Sequence, residues 1–358
     1  MSAHELLITV MAIFAAFGAV DRICGNKLGL GQEFENGIMA MGSLAMAMLG
    51  IIALAPVLAA VLKPVVVPVF SFLGADPAMF AGSILACDMG GGALARELTE
   101  DSQAALLGGV ITGSMLGATV VFTIPVAMGI LKEEDRPAMA KGILCGIITI
   151  PVGVLVGGLV AGFPLMMVLR NLIPIVLIGA LIALGLWKAE KAMIKGFGVF
   201  GKAVVILITA GLAAAIVEAL TGIVIIPGME SLEVGFSTVG AIAIVLAGAF
   251  PLVYTVTRIF RRPLLKLGRL LGVNDTAAAG LVATLANSIA TFGMVKDMDE
   301  RGKVINIAFA VSAAFVFGDH LGFTAGFAPR MLPAMILGKL AGGIGAVAVA
   351  LLLTRKAK

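Results

Sequence analysis

GADPAMFAGSILACDMGGGALAREL, residues 74–98, and GVNDTAAAGLVATLANSIATFGMVKDM, residues 272–298, are two apolar stretches, each interrupted near its middle by a carboxylate, an amide or a glycine cluster. Working outward from them, Gly117, Phe122 and Thr123 recur at the same spacing as Gly318, Phe323 and Thr324, so the chain reads as two related halves. Broken hydrophobic segments at corresponding places of two halves point to a binding site near the middle of a membrane transporter.

The composition excludes an ordinary soluble domain. Of 358 residues, 60% are hydrophobic and 13% charged, with a mean hydropathy of +1.13. Apolar runs of about twenty residues recur throughout, as a polytopic membrane protein requires. The 46 glycines fit closely packed membrane helices. Cys24, Cys87 and Cys145 are widely separated and form no C-x-x-C pair, so they suggest neither a disulfide framework nor a metal site and read as small apolar residues. The net charge of +4 comes from Lys and Arg that mostly sit between apolar runs, where they orient the chain in the bilayer and imply no nucleic-acid partner. MSAHELLITV lacks a basic signal-peptide start, so residues 5–20 read as a retained first span. No nucleophile elbow, H-E-x-x-H or phosphate loop occurs, and nothing else marks an enzyme or calls for a cofactor.

Apolar runs lie near 5–20, 37–62, 76–95, 103–131, 139–163, 165–187, 203–228, 234–257, 272–294, 304–328 and 331–353. If all eleven crossed as plain helices, the basic residues of the loops would divide nine against fourteen, a weak bias. If 76–95 and 272–294 are re-entrant hairpins, twenty fall on one side, and only Lys63, Arg96 and Arg330 face the other. The expected fold is therefore an all-α polytopic membrane protein with nine transmembrane helices plus two re-entrant helical hairpins. Its two repeats are inverted, with the N-terminus outside and the C-terminus cytoplasmic. The first membrane repeat is 1–163, a linking transmembrane helix and cytoplasmic loop is 164–202, and the second membrane repeat is 203–358. Pro64, Pro68 and Pro263 are expected to end the helices that precede the hairpins.

The residues that could carry chemistry are those whose polarity is costly in lipid. A carboxylate in the middle of a span costs about 2.5–3.5 kcal/mol on insertion scales, so Asp88 in CDMGGG and Asp319 in FVFGDHLGF need partners. A bound ammonium or sodium ion would serve, and Gly90, Gly91 and Gly92 would expose backbone to a small ligand. Asp88 could instead simply cap a half-helix. His320 is a pH-sensitive neighbour of Asp319. Asn287, Ser288 and Thr291, with Thr284, offer neutral donors and acceptors at the second tip, although hydrogen bonding between helices would explain them equally. Glu218 and Lys339 could form a structural ion pair, and Arg170 can reach the interface.

FAGSILACDMGGG at 80–92, AAAGLVATLAN at 277–287, RGKVINIAFAVSAAF at 301–315 and GDHLGF at 318–323 resemble the bacterial ethanolamine-utilisation permease family. The resemblance runs from AVDR at 19–22 and FENGIMAMGSLAMAMLG at 34–50 to GKLAGG at 338–343. It implies a multi-pass inner-membrane protein that moves ethanolamine into the cell. Ethanolamine has one ammonium and one hydroxyl, which a carboxylate (Asp88 or Asp319) and neutral groups (Asn287, Ser288 or a threonine) would complement. Coupling to H+ or Na+ and a homo-oligomeric assembly are compatible with this reading. The rival readings are an ion-translocating (Na+ or H+) membrane subunit of an energy-converting complex and an intramembrane enzyme acting on an ethanolamine-bearing lipid.

Overall fold

The computed structural model describes residues 2–354, and every element in it is helical. Helix α1 (Ala3–Ile23) opens with a capping box, Ser2 accepting from the Glu5 amide while Glu5 accepts from the Ser2 amide. Helix α2 (Leu30–Phe72) follows, then the short α3 (Ala78–Ile84) and α4 (Gly92–Leu98). After them come α5 (Ser102–Ile130), α6 (Arg136–Val160) and α7 (Leu165–Thr221). The second half contains α8 (Leu232–Leu270), α9 (Asp275–Ala286), α10 (Ser288–Met294), α11 (Glu300–Ala313), α12 (Asp319–Phe327) and α13 (Leu332–Leu353).

Eight stretches are long and apolar enough to cross a membrane, α7 contributing two, Leu165–Met193 and Lys195–Thr221, on either side of a kink at Ala189 (φ −143°). Large apolar side chains such as Leu181, Ile206 and Ile244 stay two-thirds exposed or more, as a surface facing lipid requires. The chain is an all-α polytopic membrane protein.

Both segments that were expected to break do so, and hydrogen bonds show that each doubles back. Thr291 Oγ1 donates to the Gly280 carbonyl at 2.9 Å and lies 2.8 Å from Thr284 Oγ1. In one continuous helix, eleven residues would span about 16 Å. Asn287, in extended backbone (φ −156°), makes the turn between α9 and α10 and caps the second arm by accepting from the Ile289 amide. In the first segment, α3 ends at the extended Leu85, and a turn over Cys87–Gly91 leads into α4. Thr99 Oγ1 donates to Asp76 Oδ2 at 2.8 Å, so this segment also enters and leaves at one level.

The bases of the two hairpins lie at opposite ends of α6, whose 25 residues span about 37 Å. At its N-terminal end, Lys303 Nζ pairs with Asp135 at 2.7 Å, and the adjacent Asp299 accepts from the Asn274 amide at the base of α9. Just beyond its C-terminal end, buried Asn171 accepts from the Asp76 amide at the base of α3. Helices α11 and α12 bridge these ends, running from Asp299 to the Phe327 carbonyl, which accepts from Arg96 of α4 at 2.9 Å.

Three expectations are corrected. The run 304–328 is not one helix but breaks between Ala313 and Asp319. There the Phe315 and Phe317 amides donate to the carbonyls of Thr284 and Leu285, which Asn287 has freed, so two broken helices satisfy each other's backbone. The prolines do not end helices: α2 continues through Pro64 and Pro68, and α8 through Pro263, because one missing amide is tolerable where neighbouring helices support the chain. The segment 188–202 is helical, with its bend confined to Ala189.

The Lys303–Asp135 pair anchors the second hairpin's base. Hydrogen bonds to Asp135 and Glu300 hold the Lys303 ammonium well above the usual lysine range. A lysine raised in the folded state contributes fully below its unfolded value and loses that contribution only as pH rises through the folded one, so the pair is intact near neutrality. Lys303→Met leaves Asp135, 1% exposed, as an unpaired carboxylate. Thermal unfolding in detergent should show a loss of about 3 kcal/mol, with Asp135→Asn/Lys303→Met less damaged than the single variant.

Candidate functional site

Three chain breaks border two cavities that share Asp319. Asp88 follows the break at Leu85–Ala86, Asn287 makes the break of the second hairpin, and Asp319 follows the break in the α11–α12 span. At the second of these breaks the polar side chain caps the new helix, Asn287 accepting from the Ile289 amide, whereas the Asp319 carboxylate caps nothing among the described residues.

Two cavities adjoin at Asp319. The larger, about 560 Å³, is lined by Glu33, Tyr254, Arg258, Asn287 and Asp319 among others. The smaller, about 190 Å³, is lined by Asp88, Asp319, His320, Phe122 and Phe315 with apolar neighbours. It has room for roughly six water volumes. Phe122 and Phe315 meet edge to face with ring centroids 5.3 Å apart, and Phe315 lies 5.4 Å from the His320 ring. Phe315 has φ +61°, a left-handed conformation that is strained for a bulky residue and that turns the chain between α11 and α12.

The two carboxylates have different surroundings. Asp88 Oδ1 lies 3.7 Å from His320 Nε2 and is within electrostatic range of Lys339. Asp319 has no hydrogen-bond or ion-pair partner among the described residues, yet it is half-buried and faces both cavities. Its neighbour His320 is buried, with Nδ1 lacking a partner among the described residues.

Other expected site residues are placed differently. Ser288 and Thr291 are fully buried. Thr291 closes its hairpin, and Ser288 Oγ has no partner among the described residues. The glycines serve close packing. Gly90 has φ +97° and a Cβ there would lie 2.1 Å from Ile51, one on Gly91 would press on the Leu85 carbonyl, and one on Gly92 would press on the Phe323 ring. Lys339 does not pair with Glu218; it is 1% exposed and donates to the Ser114 carbonyl, because α13 packs into the interior while Glu218 sits near the end of α7.

Phe315, Tyr254 and Glu33 escaped the sequence reading, since only the fold brings their elements to the two cavities that adjoin at Asp319, Phe315 to the smaller and Tyr254 and Glu33 to the larger. Cys87, read as a small apolar residue, offers a sulfur within 4.8 Å of the ligand atoms of Asp88 and His320, a trio of donors that could hold a soft divalent ion.

The match to a family covers almost all of this arrangement. Residues 3–353 match the family described as ethanolamine utilisation protein, EutH. The chain belongs to that family. It is 60% identical to the probable ethanolamine permease EutH of Listeria monocytogenes serotype 1/2a, over 99% of this chain and 95% of the relative. The probable ethanolamine permease EutH of Salmonella typhimurium is 48% identical, with 99% and 97% covered. An uncharacterized protein of Bacillus subtilis, YxeR, is 52% identical, with 99% and 96% covered. No solved structure matches the chain. Asp88, Asn287 and Asp319 thus lie in a member of the EutH family, in which two of these relatives are named probable ethanolamine permeases.

Proposed function

We propose that this protein carries ethanolamine into the cell across the bacterial inner membrane by alternating access, with the ammonium held between Asp319 and Asp88 and the hydroxyl met by Asn287. The observation that carries this reading is the unpartnered Asp319 carboxylate shared by two cavities. Asp88 already has His320 and Lys339 beside it, so Asp319 is the carboxylate that lacks a cation. An organic ammonium also suits the Phe122–Phe315 pair, because a cation over an aromatic face gains about 1–2 kcal/mol when desolvated. A sodium ion would give up more hydration at that wall than the rings return, which favours the amine over the ion-translocating rival.

The topology belongs to the same proposal. The twenty clustered basic residues put the N-terminus outside and the C-terminus inside, and the two halves work as inverted repeats whose hairpins gate opposite faces. The larger cavity, walled by Arg258, then serves as the route on the cytoplasmic side.

Uptake of labelled ethanolamine by purified protein in liposomes, with and without proton and sodium gradients, tests the proposal. Uptake above that of empty liposomes supports it, and the gradient dependence identifies any coupling ion. Sodium-dependent current without amine, and no amine uptake, would reject it. Phe315→Ala should raise the half-saturating ethanolamine concentration by about 5- to 30-fold, the loss of a desolvated cation–π contact. An unchanged value would remove the aromatic wall from the site.

A further inference from the structure

A second cavity system lies away from the two carboxylates, on the side of the molecule where α6 begins. It measures about 780 Å³ and is lined by Glu133, Arg136, Glu190, Lys191, Lys195 and Lys202. Four cations face two carboxylates, and one of those carboxylates is taken: Arg136 Nη1 pairs with Glu133 at 3.2 Å. The three lysines have no ion-pair partner among the described residues, although Glu190 is close by in the chain. Lys191, Lys195, Val199 and Lys202 are spaced four, four and three apart, so they form one face of the helix that follows the kink at Ala189. The kink turns this face toward the start of α6. Arg136 Nε is buried and has no hydrogen-bond partner among the described residues, so a donor in the wall is left without an acceptor.

We propose that this cavity binds the phosphate headgroup of an anionic membrane phospholipid. A phosphate diester supplies acceptor oxygens and a negative charge for the lysines and for Arg136 Nε. The position selects a lipid over a soluble anion. The cavity sits where the apolar spans Ser102–Ile130, Glu133–Val160 and Lys195–Thr221 begin or end, which is headgroup level. Val199, part of its wall, is 61% exposed, and Ile130 at the end of α5 is 39% exposed, so acyl chains have an apolar surface to follow. Basic pockets between membrane helices are a recurrent mode of anionic headgroup capture. The proposal does not depend on what the protein transports.

The test is lipid titration of the purified full-length protein in a neutral detergent, reading the thermal unfolding midpoint against added phosphatidylglycerol, phosphatidylcholine or inorganic phosphate. Phosphatidylglycerol should raise the midpoint saturably, and the other two should not. In Lys191→Gln/Lys195→Gln/Lys202→Gln the half-saturating phosphatidylglycerol concentration should rise on the order of 100-fold, at about five-fold per lysine. A charge-matched control, Lys27→Gln/Lys141→Gln/Lys296→Gln, should keep the native response. Glu190→Gln should tighten binding, which keeps the idea testable if the triple variant fails to fold. Equal effects of the two lipids, an equal loss in both triple variants, or looser binding in Glu190→Gln would overturn the proposal. A shift reproduced by inorganic phosphate alone would overturn the lipid assignment in favour of a soluble anion.

Discussion

Asp319→Asn protein in liposomes should need about 30- to 150-fold more ethanolamine for half-maximal uptake, or take up almost none at low substrate. Asparagine keeps the shape and removes the charge. A hydrogen bond between an ammonium and a partly buried carboxylate is worth about 2–3 kcal/mol, which is that range in affinity. Asp319 has no partner of its own among the described residues, so the variant leaves no protein cation stranded and the fold should unfold at a near-native temperature. Asp88→Asn should behave differently. It withdraws the carboxylate within reach of Lys339 and His320, so a loss of thermal stability should accompany any loss of uptake. Normal uptake by both variants would refute the proposed ammonium site. Normal uptake by Asp319→Asn alone would transfer the role to Asp88.

The second large effect concerns the seat of the first hairpin. A Cβ on Gly82 would lie 1.8 Å from the Gly108 carbonyl oxygen, and one on Gly117 would lie 1.9 Å from the Leu85 carbonyl oxygen. In both cases the obstruction is backbone, which cannot rotate away as a side chain can. Helices α3 and α5 touch main chain to main chain, and small residues are the means by which membrane helices approach so closely. Gly82→Ala and Gly117→Ala must therefore push the hairpin off α5. Thermal unfolding should report a cost of about 3 kcal/mol or more, at the upper end for overpacked cores. Uptake should fall as well, because the displaced hairpin carries Asp88. Gly42→Ala and Gly129→Ala are the controls: each glycine is helical with nothing within 4 Å of its Cβ position. They should be neutral or stabilising by up to about 1 kcal/mol, the helix-propensity gain of alanine. If all four variants unfolded alike, close backbone contact would not be what seats the hairpin.

Much of the frame was legible because lipid imposes simple demands. Long apolar runs must be helices, and the distribution of basic residues favoured two segments that double back over eleven plain spans. Thr291 and Thr284 confirm the turning back at Asn287, and Thr99 and Asp76 do so for the first segment. What misled was local. Pro64, Pro68 and Pro263 read as helix ends by the rules of an isolated helix, but neighbouring helices keep α2 and α8 continuous. The glycine cluster at 90–92 read as exposed backbone and instead admits Ile51 and the Phe323 ring.

The sequence by itself determined that the protein is a many-helix membrane protein, that two segments break, and that Asp88 and Asn287 sit at those breaks, because polarity in lipid is too costly to be incidental. Tertiary structure alone decided which carboxylate is free. Lys339 lies 251 residues from Asp88 in the chain and yet reaches its neighbourhood, while Phe122 on α5 and Phe315 in the break between α11 and α12 close one wall beside Asp319. Contacts of that sequence separation follow from how helices pack, and helix packing in lipid depends on the close fit of small surfaces, a property with no periodic signature along the chain.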